Sequence, residues 1–183
     1  MHLIDSHTHI YGEEFDEDRD AMLQRAAEAG VGQMVLPNVD LESYPRLLEL
    51  CAAHPQRLFQ TIGLHPTYVK EDYDTQLRAM ETELTQRAHV AIGEIGLDYY
   101  WDTTYQKEQI DAFKRQLHWA AQHDLPVILH IREAFADAFS VLREVNLPQL
   151  RGVFHSFTGT EEELREALSF EHFYIGINGV VTF

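Results

Sequence analysis

The sequence predicts an α/β fold in which parallel strands are covered by helices, a (β/α)8 barrel of which seven strands are present. Three observations carry this. Seven short apolar or β-rich runs recur, at Leu3–His7, Met34–Asn38, Phe59–Gly63, Val90–Glu94, Val127–His130, Val153–His155 and Phe173–Ile177. Their starts lie about 20–40 residues apart, room for one strand and one crossover helix. After the first run, where a doubly wound nucleotide-binding fold places G-x-G-x-x-G, stands His7-Thr8-His9.

The elements follow in order. The first run leads into His7 and His9, then into an acidic stretch, Glu13, Glu14, Asp16, Glu17, Asp18 and Asp20, read as a solvated helix start favoured by the helix dipole. Gly30 and Gly32 end that helix. Leu41, Tyr44, Leu47, Leu48 and Cys51 keep a helical period, stopped by Pro55. Ile110, Phe113, Leu117, Ala120 and Ala121 keep it again, stopped by Asp124-Leu125-Pro126. Neither an internal repeat nor a low-complexity linker divides the chain, so residues 1–183 form a single domain. A complete barrel of this kind needs about 250 residues and eight strands. The chain stops at Gly179-Val180-Val181-Thr182-Phe183, so the expectation is a C-terminally truncated barrel lacking strand eight, with an open apolar edge.

With 45% hydrophobic and 24% charged residues, the composition is that of a globular protein rather than a disordered one. No run reaches the ~18 apolar residues of a membrane span. Asp5 interrupts any signal peptide, and the lone Cys51 excludes an internal disulfide, so a cytoplasmic home is expected. The net charge of −16, from 14 Lys+Arg against 30 Asp+Glu, is opposite to the footprint of a protein that grips nucleic acid by charge alone. A phosphodiester substrate would need local attraction, and metal ions are the obvious source.

Five of the eleven histidines fall at or near strand ends. His7 and His9 follow the first run; residues two apart on a strand share a face, so their imidazoles can serve one ion. His65 follows the third run in Gly63-Leu64-His65-Pro66, His130 ends the fifth and His155 the sixth, while Glu94 ends the fourth. A parallel barrel gathers its strand C-termini on one rim, where its active sites lie. Imidazole and carboxylate without thiolate select Zn, Mn, Fe or Mg. His7 and His9 are assigned to one divalent ion, His130 and His155 to a second, and Glu94 to both. Two ions about 4 Å apart can share a hydroxide and clamp a phosphoryl oxygen.

Asp5-Ser6-His7-Thr8-His9, Gly63-Leu64-His65-Pro66, Gly93-Glu94-Ile95-Gly96-Leu97-Asp98-Tyr99 and His155-Ser156-Phe157-Thr158-Gly159 together resemble the signature stretches of the TatD-type metal-dependent deoxyribonucleases. These belong to the amidohydrolase-like metal hydrolases. The resemblance covers the whole chain. It implies a TIM-type barrel and divalent-metal-dependent hydrolysis, typically of DNA ends. His7, His9, Glu94, His130 and His155 match the family's metal ligands, while the family's aspartate at the end of strand eight falls beyond Phe183.

Other residues have two readings each. His65 is a phosphate contact or proton donor, or else a hydrogen-bonded loop histidine. Arg132, expected at a helix start, holds a phosphate or pairs with Glu133 or Asp98. Tyr99, Tyr100 and Trp101 stack bases or pack a loop. Asp5 orients a metal-bound histidine or fills a polar layer. His2, His54, His89, His118, His123 and His172 read as structural.

The leading functional expectation is a metal-dependent phosphodiesterase acting on DNA from an end, with catalytic residues Glu94, His65 and Arg132 and two divalent ions (Mg, Mn or Zn). DNA is then the substrate, with no membrane and no obligate protein partner. One alternative is an amide or ester hydrolase on the same metals. A lysine-bridged version is disfavoured because Glu94 holds the bridging place and Lys70, Lys107 and Lys114 lie off the strand ends. Another is an inactive, metal-binding fragment.

Overall fold

The computed structural model describes residues 2–182. Seven strands alternate with six α-helices among them: β1 Leu3–Asp5, α1 Arg19–Glu28, β2 Val31–Leu36, α2 Tyr44–Ala53, β3 Leu58–Gln60, α3 Tyr73–Gln86, β4 Ile92–Asp98, α4 Gln106–Gln122, β5 Val127–Arg132, α5 Phe135–Val145, β6 Gly152–Phe154, α6 Glu161–Ala167 and β7 Phe173–Ile175. All paired strands run parallel, as crossover helices require. One sheet has the order β1-β2-β3 and the other β4-β5-β6-β7, joined at a single bridge between Ile62 and Ile92. The barrel is therefore open. Among the described residues no strand pairs with the outer edges of β1 and β7, and Ile4, Tyr174 and Ile177 are exposed there.

The sequence runs and the strands coincide in place but not in length. The acidic stretch does not start a helix directly: Glu13–Phe15 is one 3-10 turn, and α1 begins at Arg19. Asp16 instead binds the guanidinium groups of Arg19 and Arg46, which hold its carboxyl below the usual range. β4 runs from Ile92 to Asp98 rather than from Val90 to Glu94, so Glu94 sits inside it. β5 extends two residues beyond His130, making Arg132 a strand residue and not a helix start.

Every residue of β4 is buried, as expected for a strand covered on both faces. Its register with β5 reaches Asp98↔Arg132. Gly96 allows that reach: its φ is +141°, and a Cβ there would collide with the His130 carbonyl oxygen. No other residue fits.

α4 packs the centre. Phe113, Leu117 and Ala120 are fully buried on its inner face, and burying each large side chain contributes ~1.5–3 kcal/mol. Gln109 and Gln116 share that face seven residues apart and hold backbone rather than water. The Gln116 Oε1 accepts from the Leu64 N–H at 2.7 Å and its Nε2 donates to the Leu64 carbonyl at 3.2 Å. Gln109 treats Asp98 the same way, at 2.9 and 3.1 Å. Buried amides satisfied on both atoms fix position without a desolvation cost. They fix the segments bearing His65 and Asp98.

At the other end of the sheet, Phe139 on α5 sits in an aromatic cluster with Phe135, Phe154 and Phe170. This anchors β6 beneath His155. Elsewhere, buried His89 takes the Tyr44 hydroxyl at 2.7 Å, and the Cys51 thiol is buried, which pushes it up to about 12.

Candidate metal centre

The loops and strands bring their polar residues to one rim by backbone bonds that extend the strand ladders. The Thr8 N–H donates to the Val35 carbonyl at 3.1 Å, His65 N–H to Val39 at 2.9 Å, and His155 N–H to Leu129 at 2.9 Å. Glu94 is fixed by its own N–H to the Asn38 carbonyl at 2.9 Å, while the Asn38 side chain donates to Gly63 at 3.1 Å. Asn38 is fully buried and ties the β2, β3 and β4 ends together.

Glu94, 3% exposed, is the common partner. Its Oε2 lies 3.1 Å from His7 Nε2 and 3.4 Å from His9 Nε2, and its Oε1 lies 3.3 Å from His130 Nδ1. Two groups follow: His7, His9 and Glu94; and His65, Glu94 and His130, each with ligand atoms within 4.8 Å of one another. His155 belongs to neither. Its ring stacks on His7 at 3.4 Å, nearly parallel. Asp5 accepts the His7 backbone N–H at 3.0 Å. Arg132 contacts none of the ligand set, and its guanidinium lies on the Tyr100 ring.

Hydrogen bonds settle which ring nitrogens carry lone pairs. The Tyr11 hydroxyl donates to the Pro37 carbonyl at 2.7 Å, so it accepts from His9 Nδ1 at 3.1 Å. The His9 Nε2 is then left with its lone pair. It faces His7 Nε2 at 3.0 Å. His130 is oriented in the same manner: its Nε2 meets Asp98 Oδ2 at 2.7 Å, and Nδ1 is left facing Glu94. A carboxylate or hydroxyl behind an imidazole is the usual support of a metal-binding histidine. His65 differs. The Thr67 N–H donates to its Nδ1 at 3.2 Å, which leaves the proton on Nε2 and makes it a donor rather than a ligand.

Ionisation agrees with this division. Burial raises the Glu94 carboxyl, but the His130, His7 and His9 bonds win and hold it well below the usual range. Burial pulls His65 down to about 3 and His155 down to about 4, so both are neutral imidazoles. Burial also lowers His130, yet Asp98 and Glu94 outweigh it and raise it to about 9. The His130 ring, with one nitrogen toward Glu94 and the other toward Asp98, is thus the group of the rim that favours its protonated form.

These residues fit divalent metal. The His7 Nδ1 is buried without a partner among the described residues, and two imidazole nitrogens converge on one oxygen of a shared carboxylate. The donor set is nitrogen and oxygen, without thiolate, as Zn, Mn or Mg sites use. Sequence reasoning placed the rim histidines but missed Tyr11 and Asp98 as their supports. Asp98 had a signal: it lies four residues after Glu94, on the same face of any strand that includes both.

Residues 4–183 match the family model described as TatD related DNase. A Bacillus subtilis protein, the uncharacterized metal-dependent hydrolase YabD, is 32% identical over 99% of this chain and 70% of its own length. A protein of Erwinia tasmaniensis named 3'-5' ssDNA/RNA exonuclease TatD is 35% identical over 97% of this chain and 68% of its own. The crystal structure of the TatD homologue YjjV from Escherichia coli superposes with a TM-score of 0.89 at 36% identity, covering 99% of this chain and 70% of that one.

Proposed function

Because the chain belongs to the TatD-related family of metal-dependent hydrolases, we propose that its rim centre hydrolyses phosphodiester bonds of DNA from an end, using two divalent ions. The observation that carries this reading is Glu94: one oxygen serves His7 and His9 while the other serves His130. A single carboxylate so placed would be shared between two cations.

His7 and His9 would hold one ion and His130 the second, with Glu94 shared. Bound there, the ions would supply Lewis acidity and a water acidic enough to attack at neutral pH. The chain's own residues do the rest. Tyr11 and Asp98 orient the His9 and His130 rings, so that His9 Nε2 and His130 Nδ1 face Glu94. His65, with its proton on Nε2, donates to a phosphoryl oxygen. His155, flat against His7, braces that ring or completes the ligand set from above. The relative named as a 3'-5' exonuclease supports attack at the 3' end.

The test is nucleotide release from end-labelled DNA. Glu94→Ala should lose most activity and bound metal together, and chelation should abolish DNA binding as well as cleavage, because a protein of net charge −16 attracts phosphate through its ions. Cleavage near the wild-type rate by Glu94→Ala with its metal content intact would overturn the reading. The same charge favours a second reading, hydrolysis of a small amide or ester, which such an assay separates by substrate.

A further inference from the structure

The loop after β4 carries a feature that the metal centre does not use. Tyr100 and Trp101 are 54% and 69% exposed, with ring centroids 4.9 Å apart and planes at 88°. Rings this exposed add little to the core. The Arg132 guanidinium lies 3.7 Å from the Tyr100 centroid and 5.4 Å from that of Trp101. Among the described residues no carboxylate pairs with it, although it stands in register beside Asp98. A cation held on an aromatic face keeps its charge and its outward N–H groups.

The loop is tied to the metal centre by one carboxylate. Asp98 Oδ1 accepts the backbone N–H groups of Tyr100 at 3.0 Å and Trp101 at 3.3 Å, and Oδ2 of the same group holds His130. The platform is thereby one side chain away from a metal ligand. In a chain of net charge −16, a cation on an aromatic face without a carboxylate partner among the described residues is free to meet an anion.

Resting on the nucleic-acid reading above, we propose that Tyr100, Trp101 and Arg132 form a subsite for one unpaired nucleotide, its base stacked on the Trp101 indole and its phosphate held by Arg132. Stacking requires a base with a free face, which a paired base inside a duplex does not offer.

The chain has two tryptophans, and Trp119 is buried with its Nε1 donating to Glu81 at 3.2 Å, so quenching by a ligand reports on Trp101. The metal-loaded protein is titrated with a phosphorothioate oligothymidylate, with the same length as a blunt duplex, and with an abasic strand carrying equal phosphates. The single strand should quench Trp101 and bind about tenfold more tightly than the abasic strand or the duplex. Trp101→Ala should erase that preference and Trp101→Phe restore part of it; Arg132→Gln should weaken both single strands alike. Equal binding of base-bearing and abasic strands by the wild type, or a preference that survives Trp101→Ala, overturns the subsite. Hydrolysis of bis(p-nitrophenyl) phosphate by the wild type is read in parallel. Base preference without any diester hydrolysis would sink the nuclease reading and leave the subsite standing; hydrolysis without base preference would do the reverse.

Discussion

Asp98 Oδ2 stands 2.7 Å from His130 Nε2, and the other oxygen of that carboxylate takes two backbone N–H groups of the next loop. One side chain therefore decides which His130 nitrogen is free and where the aromatic loop sits. Asp98→Asn keeps the volume but removes the charge that makes His130 a basic ligand. Metal affinity should fall about 10–100-fold, the usual cost of such a supporting carboxylate. Calorimetric titration with Mn or Zn measures it; unchanged affinity would show that His130 is not a ligand.

Tyr11 plays the corresponding part for His9. Burial and the nearby carboxylate of Asp40 push its phenol well above the usual range, so it stays a neutral relay between His9 and the Pro37 carbonyl. Tyr11→Phe should fold, because the ring fits the same buried space, and should bind one ion of the pair about tenfold more weakly. The expected signature is a split in metal stoichiometry, with loss confined to one site. Loss of both ions together would mean that the two positions are not separable.

Gly96 tests the route by which β4 reaches Asp98. Ala at a φ of +141° carries strain, and its Cβ meets the His130 carbonyl oxygen. Together these should cost roughly 2–4 kcal/mol. Urea unfolding of Gly96→Ala against wild type measures it, with metal affinity falling alongside because the β4–β5 pairing positions both Glu94 and His130. A variant of full stability would show that the strand can shift register without harm.

The same glycine explains what the sequence hid. Seven strand positions and the two best helical periods were legible because their apolar spacing is set by burial. Glu94 reads as a strand terminus from the sequence; in the fold β4 continues to Asp98, Gly96 is a close-approach residue and Asp98 a buried partner of His130. The rim histidines were visible by position. Their tautomers were not, since Tyr11, Thr67 and Asp98 act on them through contacts that no spacing rule contains. Arg132 is expected at a helix start from the sequence; it stands at the end of β5 with its guanidinium against the Tyr100 ring.

The metal-free protein should be most stable near pH 6.5, and the reason lies in opposed histidine shifts. His65 and His155 are held down to about 3 and about 4, chiefly by burial, so on acidification the unfolded chain binds protons there before the native one does. Stability should thus rise with pH from about 4 to 6.5, the ordinary histidine value. His130 runs the other way. Burial lowers it, but Asp98 and Glu94 bring it up to about 9, so its protonated form stabilises the fold fully below 6.5 and that contribution is lost as pH climbs through about 9. A shift of this size corresponds to something on the order of 3 kcal/mol. Divalent metal competes with that proton, so affinity for the ion at His130 should climb over the same interval, with release of one proton. Saturating metal should remove the alkaline decline, and His130→Gln should remove it without metal. The measurement is the urea midpoint from pH 4 to 10 in chelator and again with metal. A midpoint in chelator that stays level or rises between pH 6.5 and 9 would show that the two carboxylates do not hold a proton on His130.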